Sequence, residues 1–212
     1  MDGESGRTGA RINEKTDNPL NGGPSAAAGI RPPRLDPARL PPAVLRELRA
    51  SHMGETVAVS IYDGVVASRR DGAMTAFARS HRAVELSHLA LFNAILPLER
   101  RSRLMPLWRG GGWLMGWLPA RIHASAFFAV IGAVEAWVDS HYARQIALIR
   151  RAHPDPDLLR MLEAIRADEA SHSDHAHRLE GDPPGWVRPV AAALAAVAVL
   201  SSRLGVMVGR WV

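Results

Sequence analysis

Cysteine is absent from the 212 residues. That excludes a disulfide framework, a thiolate metal site and a cysteine nucleophile, so any metal this chain holds must take oxygen and nitrogen ligands. Lysine is nearly absent as well: Lys15 is the only one, and arginine carries almost all the positive charge. The N-terminus lacks the continuous apolar segment of a secretory signal. No Gly-rich dinucleotide fingerprint occurs, so no tightly bound NAD or flavin is expected. Beyond Pro184 the longest uncharged run is Pro189–Ser202, 14 residues, short of the roughly 20 a membrane-spanning helix needs. The net charge of +5 and a pI near 10.8 suggest an anionic partner. No aromatic-interleaved basic stripe accompanies them, which disfavours nucleic acid and leaves a lipid surface.

What is present suffices for one domain with tails, since 47% of the residues are hydrophobic. Residues 1–42, rich in Gly, Pro and Arg, have no apolar period and read as a disordered leader. Asp2, Glu4, Glu14, Asp17 and Asp36 argue against a transit peptide. From Ala43 the apolar residues recur at three- and four-residue steps, which predicts helices. A first helix carries Leu48, Glu55, Val59 and Tyr62 on one stripe, and a second, from Gly72 to about Leu96, carries His81, Glu85, His88 and Phe92. Gly110–Gly112 reads as a break. A third stripe holds Ile131, Glu135, Val138 and Tyr142, and a fourth, after Pro156, holds Ile165, Glu169 and His172. Gly181–Pro184 ends the bundle, so residues 43–180 form the domain and 181–212 an apolar C-terminal helix that contacts membrane or packs on the bundle.

Two copies of one pattern lie on these stripes: Glu55 then Glu85-Leu-Ser-His88, and Glu135 then Glu169-Ala-Ser-His172. A Glu and a His three residues apart share one helix face, within reach of one metal or of a metal pair. A single acid at a stripe edge would most simply snorkel to water. Four carboxylates on the inward faces of four helices need cations, because an unpaired buried carboxylate costs several kcal/mol. Carboxylate-rich sites with one imidazole per metal suit iron or manganese better than zinc. The expected fold is therefore all-α: a ferritin-like four-helix bundle with an apolar connecting helix and an added C-terminal amphipathic helix. Glu55, Glu85, His88, Glu135, Glu169 and His172 are the candidate ligands, Glu135 among the shared ones, and Asp139 or Asp168 is the candidate acceptor for a ligand imidazole N–H.

The residues around these positions resemble the demethoxyubiquinone hydroxylase family, over roughly residues 44–180. The resemblance rests on His52-Met-Gly-Glu55, Ile61-Tyr-Asp-Gly64, Glu85 to His88, Met105-Pro-Leu-Trp108, Val134-Glu135 through His141-Tyr142, and Asp168-Glu169-Ala-Ser-His172. Departures are Ser51 and Ala136 where the family has acids, and Ala120–Ser125 in place of a Gly-Lys-Glu-Gly stretch. The resemblance implies a monooxygenase of ubiquinone biosynthesis that uses two iron ions (Fe2+/Fe3+) per chain, dioxygen and NADH-derived electrons to hydroxylate a demethoxyubiquinone-type quinol. It also implies that His141 and Tyr142 serve substrate binding or electron transfer. On the residues alone, each is equally a packed core side chain, as is His52. His81, His175 and His177 fall outside the matched motifs and read as structural or solvated.

The implied partners are a lipid-tailed quinone and a membrane surface, with a homo-oligomer or a complex with other quinone-biosynthesis proteins compatible. The implied location is peripheral, on the cytoplasmic face of a bacterial inner membrane or on the mitochondrial inner membrane. Trp108, Trp113 and Trp117 beside Arg101, Arg103 and Arg109 form an interfacial mixture, as do Arg188, Arg203 and Arg210 with Trp186 and Trp211. The alternatives are a divergent di-iron oxygenase for another quinone or phenol, a peroxide-scavenging or iron-storing bundle, and a non-enzymatic membrane-associated binding bundle.

Overall fold

In a computed structural model, residues 23–69 and 72–211 are described. They form helices with no strand among the described residues: α1 (Pro42–Ser68), α2 (Gly72–Ile95), α3 (Met105–Ile122), α4 (Ala124–Ala152), α5 (Pro156–Glu180) and α6 (Val187–Gly209), with one 3-10 turn at Leu98–Arg100. Local chemistry sets the ends. Pro42 and Pro156 begin helices where a missing N–H costs nothing, and the Asp155 carboxylate accepts from Leu158 N, a cap that contributes about 1 kcal/mol. The α3 to α4 junction turns at His123, whose ring nitrogen accepts from Ser125 N.

Helices α1, α2, α4 and α5 make the bundle, α1 paired with α2 and α4 with α5. Two apolar clusters fill its ends. Leu48, Phe92, Ile146, Leu162 and Ile165 belong to one, and Ile61, Phe77, Phe127, Phe128 and Ile131 to the other. On all four helices the candidate ligands fall between the two clusters in sequence, so the polar layer sits at mid-bundle, screened from water at both ends.

Three expectations change. The reading of Gly110–Gly112 as a break fails: these residues lie inside α3. A Cβ at Gly110 or Gly111 would meet nothing within 4 Å, but from Gly112 onward α3 lies against α1 backbone to backbone. A Cβ at Gly112 would stand 2.7 Å from Val57 O, one at Gly116 1.9 Å from Ile61 O, and one at Gly64 2.0 Å from Trp113 O. The leader is not disordered to residue 42: hydrogen-bonded turns run through Ser25–Ile30 and Asp36–Arg39, and Ala27 and Leu40 are buried in the first cluster. Periodicity misses such a segment because it is held by backbone donors rather than an apolar stripe. Residues 1–22 of that leader lie outside the described residues. Finally, the 14-residue run understates α6, whose 23 residues are long and apolar enough by length and composition to cross a membrane. Here α6 packs along α4 and α1, burying Val187, Ala191, Ala198 and Val206. Its other side exposes Val197, Leu200, Leu204 and Met207.

Candidate metal centre and apolar cavity

The four bundle helices bring all six candidate ligands together, each at most 4% exposed. They form two overlapping groups, Glu55, Glu85, His88 and Glu169, and Glu85, Glu135, Glu169 and His172, the donor atoms of each lying within 4.8 Å of one another. Glu85 and Glu169 belong to both groups. Glu135 belongs to the second group only, and Glu55 to the first only.

The donor atoms are not satisfied by one another. Nδ1 of His88 lies 3.4 Å from each of three carboxylate oxygens, on Glu55, Glu85 and Glu169. Nδ1 of His172 is 2.9 Å from Glu85 Oε1 but lacks hydrogen-bond geometry. Both Nδ1 atoms, both Glu85 oxygens and Glu55 Oε2 are buried without a hydrogen-bond partner. Five orphaned buried atoms at one centre, all oxygen or imidazole nitrogen, fit two cations and fit little else, since each orphan costs about 1–3 kcal/mol or more.

Protonation equilibria carry the same strain. Burial pushes the Glu55 carboxyl up to about 7 against the pull of His88. Burial, with the charge of Glu85 adding, does the same to Glu169. Burial and then the Glu169 charge hold Glu135 well above the carboxylate range. Burial opposes ionisation of Glu85 too, but His172 and His88 outweigh it and its carboxyl is lowered. Both imidazoles are raised despite burial, His88 chiefly by Asp168 and His172 by Glu85. Without metal the site gathers protons to neutralise its charge.

Asp168, rather than Asp139, is the outer acceptor: its Oδ2 lies 2.9 Å from His88 Nε2. Asp139 instead pairs with Arg166 at 2.7 Å. Asp168 is itself held by the ordered leader, accepting from Ser25 Oγ at 2.7 Å, Ala26 N at 2.5 Å and Ala27 N at 3.1 Å. Sequence reasoning had no signal for that clamp, because its partners are 141 to 143 residues apart. The other histidine has different company. His172 meets the edge of His81 with ring centroids 4.2 Å apart, and His81 Nε2 lies 2.9 Å from His175 Nδ1. Burial and the neighbouring His172 and His175 lower His81 to about 2, leaving it neutral. His81 and His175 are thus buried next to the site, whereas His177 is half-exposed beside Glu180.

Two tyrosines close the centre. Tyr142 Oη donates to Glu55 Oε1 through a short hydrogen bond, and Tyr62 Oη donates to Glu135 Oε1 at 3.1 Å. The sequence places Tyr62 on the Glu55 stripe and in a family motif, but its bond to Glu135, 73 residues away, has no local signal. His52 is a packed residue, its Nε2 3.1 Å from Asn93 Oδ1. His141 stacks on Trp137, and its Nε2 has no hydrogen-bond partner.

A cavity of about 520 Å³ runs between α1, α3, α4 and α6 to the centre. Tyr142 and the carboxylates Glu55, Glu85, Glu135 and Glu169 form its inner end, and apolar residues such as Met53, Trp108, Leu118, Val134 and Val206 its walls. Ser51 and His141 line it, while Ala120–Ser125 does not.

The family model for ubiquinone biosynthesis protein COQ7 matches residues 43–207, from the start of α1 almost to the end of α6. The chain belongs to the COQ7 family. Among its curated relatives, the 3-demethoxyubiquinol 3-hydroxylase of Paracidovorax citrulli is 33% identical over 177 residues, 82% of this chain and 85% of that one. The NADPH-dependent 3-demethoxyubiquinone 3-hydroxylase, mitochondrial, of Dictyostelium discoideum is 32% identical over 60% of each chain. The Homo sapiens protein of the same description is 30% identical over 62% of this chain and 63% of its own. The nucleotide in those two descriptions is NADPH, where the resemblance had implied NADH.

Proposed function

We propose that this COQ7-family chain hydroxylates the ring of a demethoxyubiquinone-type quinol with dioxygen, using two irons held by Glu55, Glu85, His88, Glu135, Glu169 and His172. The observation that carries the reading is the meeting of the two overlapping donor groups with an apolar cavity at one point. A pair of irons, when bound there, would supply the oxygen activation that hydroxylation needs.

The remaining roles belong to the chain. Glu85 and Glu169, common to both groups, would serve both ions, while Glu55 with His88 and Glu135 with His172 would hold one each. Asp168 fixes the tautomer of His88 by accepting its Nε2–H, leaving Nδ1 as donor atom. The apolar walls desolvate the quinol ring and its tail, excluding water from the reacting carbon. Tyr142 stands where cavity and carboxylates meet. Its Oη–H, given to Glu55, holds that carboxylate and keeps a proton beside the substrate ring. Reducing equivalents come from a reduced nicotinamide nucleotide, as the eukaryotic relatives are named for NADPH.

Access is from lipid. The exposed Leu107, Leu114, Leu118 and Val197 belong to the cavity lining, so a tail of negligible water solubility enters from a bilayer without crossing water. The chain lies on the membrane with α3 and the free face of α6 toward it. The test is expression in a strain lacking its own hydroxylase, with quinones profiled by mass spectrometry. Conversion of the accumulated demethoxyquinone is expected; its persistence alongside soluble, iron-loaded protein would overturn the substrate assignment.

A further inference from the structure

A second groove lies between α4 and α6, on the far side of the cavity wall. Arg144, Arg203 and Arg210 line it with Ser140, Trp137 and His141. Arg210 is engaged by Glu47 at 2.9 Å. Neither Arg144 nor Arg203 has an ion-pair or hydrogen-bond partner among the described residues, and no acidic residue lines the groove. At the floor is His141, 6% exposed, whose Nε2 is buried without a hydrogen-bond partner, its nearest carboxylate oxygen 3.9 Å away on Glu47. Glu47 is engaged by Arg210 and is too far from His141 Nε2 to bond it, so the groove keeps an unpaired buried nitrogen and the uncompensated charge of Arg144 and Arg203, a combination that suits an external anion.

The anion's carrier follows from what borders the groove. Arg203 and Arg210, two turns apart, share one face of α6. On the adjoining stripe Leu200, Leu204, Met207 and Trp211 are all about half-exposed or more. A helix with an apolar stripe flanked by arginines lies at headgroup depth, apolar side in the acyl region and guanidinium groups level with phosphate. We propose that the α4/α6 groove seats the phosphodiester of an anionic phospholipid, bound by Arg144 and Arg203 with His141 Nε2 beneath it. This rests on the membrane reading above and gives it a defined contact. Trp137, His141 and Val206 line both the groove and the cavity, so a seated headgroup braces the wall along which the quinol enters.

The experiment uses the full-length, iron-loaded protein and sedimentation with vesicles of phosphatidylcholine alone or mixed with phosphatidylglycerol. Arg144→Ala/Arg203→Ala should bind the mixed vesicles about a hundredfold more weakly, through loss of two charge-assisted contacts. Arg79→Ala/Arg151→Ala, the same loss of charge at exposed sites elsewhere, should lose about threefold or less. Arg144→Lys/Arg203→Lys should recover part of the binding. Iron content and thermal midpoint confirm that each variant is folded. Equal losses in the two alanine variants, or none in either, would overturn the groove while leaving membrane binding intact. Absence of vesicle binding by wild-type protein would bring down the membrane reading itself. Calorimetry with inorganic phosphate separates the sources. Weak binding of phosphate that disappears in Arg144→Ala/Arg203→Ala supports the seat; phosphate binding as tight as vesicle binding would assign it to a free anion instead.

Discussion

The two halves of the centre are built alike and supported differently. Each has its own glutamate, one histidine and a tyrosine on that glutamate: Glu55, His88 and Tyr142 on one side, Glu135, His172 and Tyr62 on the other. Behind His88, however, stands the anionic Asp168, clamped by the leader. Next to His172 stands the edge of a neutral His81. A carboxylate acceptor makes an imidazole more basic and fixes its ring, while a neutral ring gives packing without charge. Only Tyr142 of the two tyrosines reaches the cavity. A near-symmetric set of donor groups thus has two inequivalent surroundings, and the half backed by Asp168 is also the one whose tyrosine lines the cavity.

The sharpest break in that symmetry should come from the residues common to both halves. Glu85→Ala is expected to take bound iron from about two per chain to near zero, whereas Glu135→Ala should leave about one, read by metal analysis of folded protein. Equal iron in the two variants would contradict the overlapping arrangement. Asp168→Asn should weaken one metal position about 10–100-fold and leave the other, giving a biphasic iron titration. His81→Phe, which keeps a ring against His172, should leave both positions within about threefold of wild type. A monophasic titration for Asp168→Asn would mean that the two histidines are supported equally.

Proton linkage tests the shared charge. Glu55 and Glu169 have carboxyls raised to about 7 in the metal-free fold. A carboxyl raised above its unfolded value helps folding below that value and loses this contribution as pH climbs through the raised one. The metal-free protein is therefore penalised above pH 7, where these groups ionise together. Metal removes the penalty, so the rise in thermal midpoint on metal loading should be larger at pH 8 than at pH 5.5. Metal affinity should increase with pH through 7, up to about tenfold per pH unit for each proton displaced. An affinity independent of pH would show that the carboxyls are already ionised.

The tyrosines give the next contrast. Tyr142→Phe should keep iron but lower turnover about tenfold through loss of a hydrogen bond to a carboxylate, and Tyr62→Phe, remote from the cavity, less than about threefold. Equal effects would deny Tyr142 its place beside substrate. Smallest of all, Ser25→Ala removes one of the three donors that the leader gives Asp168 and should weaken the His88 side about twofold to fivefold. An unchanged titration would mean that the two backbone donors suffice.

Much of this was open to reading from the chain alone, and the reason is periodicity. Helical spacing is a local code, so Glu55, Glu85, His88, Glu135, Glu169 and His172 could be placed on the inward stripes of four helices before any coordinate, and the absence of cysteine limited their chemistry to oxygen and nitrogen. Family motifs cover the same positions. What the spacing could not express is which partners meet across the bundle. The membership of Glu85 and Glu169 in both donor groups, the choice of Asp168 over Asp139, and the burial of His81 and His175 depend on helix rotation and offset, set by packing between distant segments. Gly110–Gly112 shows the limit most plainly. Three glycines in a row are locally a break, yet in α3 Gly112 and Gly116 face the α1 backbone, and the close approach there outweighs low helix propensity. Ser25–Ala27 is the converse case, a segment with no apolar pattern that is ordered because its hydroxyl and two backbone N–H groups meet the Asp168 carboxylate. The sequence by itself determined the four helices that carry the candidate ligands, the donor types and the family; the tertiary structure alone decided the course of α3 and the pairing, because hydrogen bonds and close backbone contacts between residues far apart leave no periodic trace in the chain.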